Sequence, residues 1–428
     1  MRVDRRGSRP ERRPDRYLQE NPMSPAILIV YRPAAGRYLA QFRSVVAAAT
    51  ELGHHPVVLV PTGERAPEVE GLTVREADLD STAAFRAAVD EIAAEHRPVR
   101  IFPLFEGDVL PAARARRDHG IPGLTPDQAL NFRDKNVMHR RAEELGVRVA
   151  RSCRPDTLGA VEEFAAQVGY PLVIKPYAGW ACGSTYRVDG AERLAEVWQE
   201  MGDDRHEYRV EEFVRGTEFH VDSLLRDGEV VFEQLSRYTY SVLEYRDEPG
   251  GTVSRKHDLS ERERRILELN ATVLRGFGMR TGVAHVEFFL LDDGEVVFGE
   301  AGARAGGGSI VPAVQAGRGI NLAGEWARLE LDPEHRTEAR LGPEIGTEYL
   351  SSDKYGRITG ISTPGELNAL DGVLDADVWK SVGDVLAPPV ASNDVLGWYV
   401  CEGRDYDDVL TRFKAVRGAF RVETESAV

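Results

Sequence analysis

The hydrophobic period of this chain changes part-way along its length, and that change restricts the fold more than any composition value does. Up to about residue 125, short β-rich runs alternate with helical stretches: "AILIVYRP" (26–33), "RYLAQFRSVVAAATELG" (37–53), "HPVVLVP" (55–61), "STAAFRAAVDEIAAEH" (81–96) and "VRIFPLF" (99–105). Buried strands joined by helices through short connections read as right-handed βαβ units of a parallel sheet. From residue 206 the period becomes two. "HEYRVEEFVRGTEFHVDSLLRDGEVVFEQLSRY" alternates as antiparallel strands do, with Asp227-Gly228 as a hairpin turn.

The expected architecture is therefore α/β first and antiparallel α+β second. A disordered Arg-rich tail (1–24) precedes a Rossmann-like domain (25–125), in which Ala34-Ala35-Gly36 makes a poor dinucleotide fingerprint. A central subdomain (126–205) and a C-terminal region (206–428) follow. Thr125-Pro126-Asp127 starts a helix that "DQALNFRDKNVMHRRAEELG" carries to Gly146. Further helices are expected over 157–169 and 260–278.

At 428 residues the chain has room for two or three domains. A net charge of −16, from 54 basic and 70 acidic residues, argues against a broad nucleic-acid or membrane surface. No run approaches the ~20 apolar residues of a membrane span. Cys153, Cys182 and Cys401 form no disulfide framework, which fits a reducing cytoplasm. The first 22 residues lack the apolar segment of a secretory signal and read as an extension ahead of a second start at Met23. Only six of the 54 basic residues are lysine, so Lys135 and Lys175 stand where a compact ammonium is wanted.

Two segments carry chemistry. "LVIKPYAGWACGSTYRV" (172–188) is a strand ending in Lys175-Pro176, a loop of small residues and a second strand. Such loops expose backbone N–H groups that cradle phosphate oxygens, yet neither G-x-x-x-x-G-K-[ST] nor G-x-G-x-x-G is present. "AHVEFFLLDDGEVVFGE" reads as a hairpin turning on Asp293-Gly294, with Asp292 paired to Glu295 and, counting back, Glu287 opposite Glu300. Opposed carboxylates lie ~5 Å apart and repel. Inward-facing Phe289 and Phe298 increase that cost. A protonated acid, a slipped register or a cation between them relieves it, and magnesium beside phosphates is a common answer. "AGARAGGGS" follows, with Arg304 placed to meet an anion.

In this order the pieces resemble the ATP-grasp superfamily, in particular its carboxylate–amine ligases, over residues 25–428. "RDKNVMHRRAEELGV" resembles the segment of the first phosphate lysine, Lys135, and "YPLVIKPYAGWACGSTYRV" the second, Lys175, with the phosphate loop of Gly183 and Ser184. "VEEFVRGTEFHVD" is similar to the adenine hinge, which places Glu211, Glu212, Phe213 and Val214 at the base, largely through backbone groups, and Glu218 at the ribose. "HVEFF…FGEAGAR" resembles the metal hairpin, assigning Glu287 and Glu300 to magnesium, with manganese as the alternative, and Arg304 to the substrate or transferred phosphoryl group. Trp180, Ala181 and Cys182 depart from the usual loop, and Gly302 stands where that family carries an asparagine ligand. His285, two before Glu287, could face the same site, but a packed histidine on that strand is the favoured reading.

The resemblance implies a cytoplasmic ATP-dependent ligase that joins a small carboxylate to an amine through an acylphosphate, releasing ADP and phosphate. Lys175 and Arg304 act on the reacting groups, and the loop at 178–185 and the Tyr-rich segment 236–251 are expected lids. Selectivity is expected from the N-terminal domain, residues 236–257 and residues 304–312. Nucleic acid and membrane are not expected partners, and a homodimer is the oligomer considered. The alternatives are a biotin-carboxylase-like enzyme or a nucleotide-binding protein weakened in catalysis.

Overall fold

The computed structural model describes residues 24–33, 38–179, 184–241, 250–255, 259–387 and 395–425. The expectations for the Arg-rich tail, Met23, Ala34-Ala35-Gly36, Trp180 to Gly183 and residues 242–249 of the Tyr-rich segment lie outside these residues.

The N-terminal part is a parallel sheet with Ala26–Val30 at its centre, paired with His55–Pro61 on one side and Ile101–Pro103 on the other. Thr73–Ala77 extends it beyond His55–Pro61. This strand escaped the sequence reading because "TVREA" is half-exposed and carries two charges. Helices Leu39–Glu51 and Thr82–His96 flank the sheet, the second capped by Ser81, whose hydroxyl accepts from the Ala84 N–H.

Where one helix was expected over 125–146 there are two, Pro126–Leu130 and Lys135–Glu144. The chain breaks at Asn131–Asp134 because the Asp134 carboxylate accepts from Asn136 N–H and Val137 N–H, capping a fresh helix. Lys135 thereby becomes a first-turn residue. The central sheet runs in the order Ser152–Cys153, Tyr208–Glu212, Leu172–Pro176, Tyr186–Val188. Residues 208–212 thus pair with the sheet on the other side of the boundary expected at 205, because Val173 sits opposite Glu211 and Ile174 opposite Val210.

The largest sheet has eight antiparallel strands: Val296–Gly302, Gly282–Leu290, Thr217–Arg226, Glu229–Tyr238, Gly251–Arg255, Glu344–Leu350, Gly397–Gly403 and Val373–Val378. Asp227 (φ 53°) and Gly228 (φ 89°) make the expected two-residue turn, with Glu229 opposite Arg226. One face carries Phe219, Val221, Phe288 and Phe298 into a core with Phe132, Met138 and Phe277. The other face places His220, Asp222 and His285 on neighbouring strands.

Candidate active site

A cavity of about 1350 Å³ opens where the three sheets meet, and most of the sequence-predicted site residues line it: Lys135, Lys175, Glu211 to Val214, Glu218, Glu287, Glu300 and Arg304. Ser184 is exposed with φ 54°, and Thr185 is the neighbour that reaches the cavity. Gly183 lies outside the described residues.

Lys135 is buried, its ammonium 3.2 Å from a Glu300 oxygen and donating to Gly179 O at 3.1 Å. Burial would lower its pKa, but Glu300 and Glu106 outweigh burial and raise it. The Lys135 N–H also donates to Tyr177 O, and Arg133 donates to Ala178 O, so three consecutive carbonyls at the start of the loop expected over 178–185 are held from 133 and 135. Lys175 meets Glu211 at 2.8 Å, and Arg209 meets the same carboxylate at 2.7 Å. Against the opposing effect of burial, Lys175, His139 and Arg209 hold the Glu211 carboxyl at about 2. Burial likewise opposes the ionisation of Glu300, and Lys135, Lys175 and Arg304 hold it at about 2.

At the hinge the expectation needs correcting for Glu211. Its backbone is paired within the sheet to Val173 and Ser152, and its side chain serves Lys175. Glu212 N–H goes to Arg151 O and Phe213 N–H to Pro171 O. The Glu212 carboxylate binds Arg151, and the Arg187 guanidinium lies 4.9 Å from the Phe213 ring centre. The Val214 N–H is the first in the hinge without a protein acceptor among the described residues, and Val214 lines the cavity. Glu218 stands opposite Phe289 on the adjacent strand.

The metal-hairpin register was reached by two offsets that cancel. Leu291 N–H donates to Glu295 O, so the loop has three residues, Asp292, Asp293 and Gly294 (φ 93°), instead of two. Phe288 therefore faces Phe298, and Phe289 faces Val297. A bulge between Val286 and Phe288 sets Glu287 against both Gly299 and Glu300 and restores His285 opposite Gly302. Glu287 Oε1 accepts from Tyr238 OH at 2.9 Å. Half-buried carboxylates on a bulged hairpin, with two ammoniums across the cavity, form a donor set that suits a nucleotide-bound magnesium ion.

Two features escaped the sequence reading, and a third was read only in part. Glu106, buried just past the strand Ile101–Pro103, accepts from Arg133 at 2.8 Å and from Arg304 at 2.7 and 3.0 Å. Burial would lower the Arg304 pKa, but Glu106 raises it further above its ordinary value. The signal was positional: ligand-binding residues gather beyond the carboxyl ends of parallel strands. The second is a row across three strands, Tyr349, Trp398 and Asp377, with Trp379 Nε1 donating to Asp377 at 2.9 Å; all four line the cavity.

The third is His285, which is buried but also lines the cavity, so the packed-histidine expectation is incomplete. Asp222 holds the Nδ1 of both His285 (3.0 Å) and His220 (2.7 Å), and His220 Nε2 meets Thr252 Oγ1 at 2.8 Å. Burial opposes a proton on His285, yet Asp222 and Glu287 raise its pKa to about 9. His220, Asp222 and His285 lie close enough to suggest a metal cluster, but each Asp222 oxygen already serves an imidazole nitrogen. Burial pushes the Cys153 thiol to about 11 and Cys401 to about 12, so neither is a ready nucleophile.

Comparison with known proteins agrees with this geometry. Residues 168–313 match the ATP-grasp domain family and residues 348–425 the L-amino acid ligase C-terminal domain 2. The chain is 25% identical over 307 residues, 69% of its length and 73% of the relative's, to the L-arginine-specific L-amino acid ligase of Bacillus subtilis. It is 23% identical over 252 residues, half of each chain, to the alanine–anticapsin ligase of Bacillus subtilis. The crystal structure of an L-amino acid ligase from Bacillus licheniformis superposes with a TM-score of 0.79 at 20% identity, covering 94% of this chain and 100% of that one. Residues 168–313 are thus an ATP-grasp domain, and the chain is an ATP-dependent enzyme that forms carbon–nitrogen bonds. Its similarity among ligases is to the L-amino acid ligases. Among the described residues no helix is long and apolar enough to cross a membrane.

Proposed function

We propose that this enzyme joins two amino acids, phosphorylating the carboxylate of one with ATP and letting the amine of the other displace phosphate from the acylphosphate. The observation that carries the reading is the convergence of Lys135, Lys175, Glu287, Glu300 and Arg304, from well-separated segments, on one cavity. Lys135 and Lys175 neutralise phosphate oxygens, and the Val214 N–H and neighbouring hinge carbonyls meet the adenine. Glu287 and Glu300 would hold magnesium, which would supply positive charge against the transferring phosphoryl group. Arg304 faces the carboxylate that attacks. One Glu106 between two guanidiniums leaves a net positive charge there, which suits an anionic reacting group. The same reading treats 25–125, 126–212 and 213–428 as the working units of the chain, the second boundary following the strand Tyr208–Glu212.

One of the two amino acids carries a cationic side chain. Tyr349, Trp398 and Trp379 offer ring faces, and Asp377 a carboxylate, at the cavity wall built by residues 348–425. Aromatic faces with a carboxylate favour guanidinium or ammonium groups. The arginine specificity of the Bacillus subtilis relative supports arginine as the first to test.

The test incubates the enzyme with ATP and amino acid pairs and follows ADP, phosphate and amide product by mass. Turnover should require both substrates, and hydroxylamine in place of the amine should accumulate a hydroxamate. Release of AMP and pyrophosphate, or turnover that depends on bicarbonate, overturns the reading.

A further inference from the structure

His285 and Gly302 are directly paired across the hairpin, so position 302 projects toward the same face of the sheet as the imidazole. Nothing in the backbone demands glycine there. Its φ is outside the left-handed region, and a Cβ would meet nothing nearer than Arg304 Cγ at 3.5 Å. A Cβ would sit there in ordinary contact with the Arg304 side chain, and His285 stands beside it.

His285 Nε2 lies 3.4 Å from Glu287 Oε1 and 3.5 Å from Tyr238 OH. These separations are long for N–H···O and O–H···N hydrogen bonds. Two donor atoms each bound at about 2.1 Å to one ion are about 3.0–3.4 Å apart, so the Glu287 separation suits a shared cation. Nδ1 is anchored on the Asp222 carboxylate, which is itself fixed by His220 and fully buried. Metal-ligating imidazoles are typically held in this way, one nitrogen on a carboxylate and the other turned to the ion.

We propose that His285 Nε2 completes the divalent-metal site from the neighbouring strand, supplying the ligand that Gly302 lacks. The proposal rests on the reading of Glu287 and Glu300 as the metal carboxylates. Its chemical consequence is selectivity. Magnesium prefers an all-oxygen shell, whereas first-row transition ions accept imidazole, so the site should favour manganese relative to sites that present oxygen alone.

The test uses the full chain with ADP and Mn2+, read by pulsed electron paramagnetic resonance. The wild-type complex should show the hyperfine coupling of a directly bound imidazole nitrogen, absent from Mn–ADP in buffer. His285→Gln should remove that coupling and weaken Mn2+ binding by roughly tenfold or more, with a smaller change for Mg2+. Adding Gly302→Asn to that variant should recover Mg2+ affinity through an oxygen ligand. Mn2+ bound in a Glu300-dependent way without nitrogen coupling overturns the inference and leaves the carboxylate reading standing. Binding indifferent to both Glu287→Gln and Glu300→Gln overturns that reading, and the inference with it. The wild-type spectrum alone decides the main point, so the test does not depend on any variant folding.

Discussion

The two ends of the cavity hold their charges differently. At the nucleotide end Lys135 meets Glu300 and Lys175 meets Glu211, each through a single flexible ammonium. At the substrate end Glu106 is gripped by two guanidiniums, one of them through both Nε and Nη2. An ammonium on a four-carbon stem can change partners at little cost, whereas a planar fork loses most of its geometry if it turns. On the function proposed above, Lys135 would leave Glu300 for a phosphate and free that carboxylate for metal, while Arg304 would stay where Glu106 sets it. One end is made to rearrange and the other is set in advance.

The sharpest way to break this contrast is Glu106→Ala. It leaves Arg133 and Arg304 buried without their shared counter-charge, and should cost about 3–5 kcal/mol of stability as well as turnover. Urea unfolding measures it, and a loss under about 1 kcal/mol would show that the substrate end is not preset. The matching change at the other end, Lys175→Ala, should lower turnover by about 10²–10³-fold, since one cation facing the phosphates is removed. Its Glu211 retains Arg209, so the unfolding midpoint should move far less than in Glu106→Ala. Equal destabilisation in the two variants would erase the distinction.

Acid should loosen the nucleotide end through His139 first. This buried ring donates Nε2–H to Gly299 O and accepts at Nδ1 from Arg209, and burial lowers its pKa to about 4. The unfolded chain, with a histidine near 6.5, binds a proton that the folded chain refuses between pH 6.5 and 4. Stability should fall as pH drops through that window, by up to roughly 3 kcal/mol from this group. Glu211 and Glu300, held at about 2, contribute stability above about pH 4.5 that is lost only as pH falls toward 2. Unfolding at pH 7 and pH 5 should show a smaller difference in His139→Gln than in wild type; an unchanged difference assigns the acid sensitivity elsewhere. The smallest expected effect sharpens the substrate end. Asp377→Asn should lower kcat/KM for cationic amino acids by about 10–100-fold and leave neutral ones nearly unchanged, and a uniform loss would remove Asp377 from recognition.

What the sequence made legible was local. A strand ending in lysine, a two-residue Asp-Gly turn and a hairpin with one acid on each arm can each be read within about twenty residues. These placed Lys175, Glu287 and Glu300 on the cavity wall. Even there the two-residue loop at 293–294 was wrong, and the register survived only because a bulge at Glu287 absorbed the error. Glu106 was invisible because its partner Arg304 is 198 residues away, and no local period reports such a contact. The row Tyr349–Trp398–Asp377 depends on the order of three strands, which alternation alone does not specify. The break before Lys135 was missed because Asp134 offers the backbone a cap in competition with a continuous helix.

That break has a consequence for timing. The carbonyls of Tyr177, Ala178 and Gly179 are held by the Lys135 N–H, the Arg133 guanidinium and the Lys135 ammonium in turn. Pulling this stretch of chain outward strains all three bonds at once, and one of them ends on a lysine that would be holding phosphate. On the function proposed above, departure of ADP would be coupled to release of these three bonds, so a change at Arg133 would alter how quickly the enzyme is ready for its next turnover.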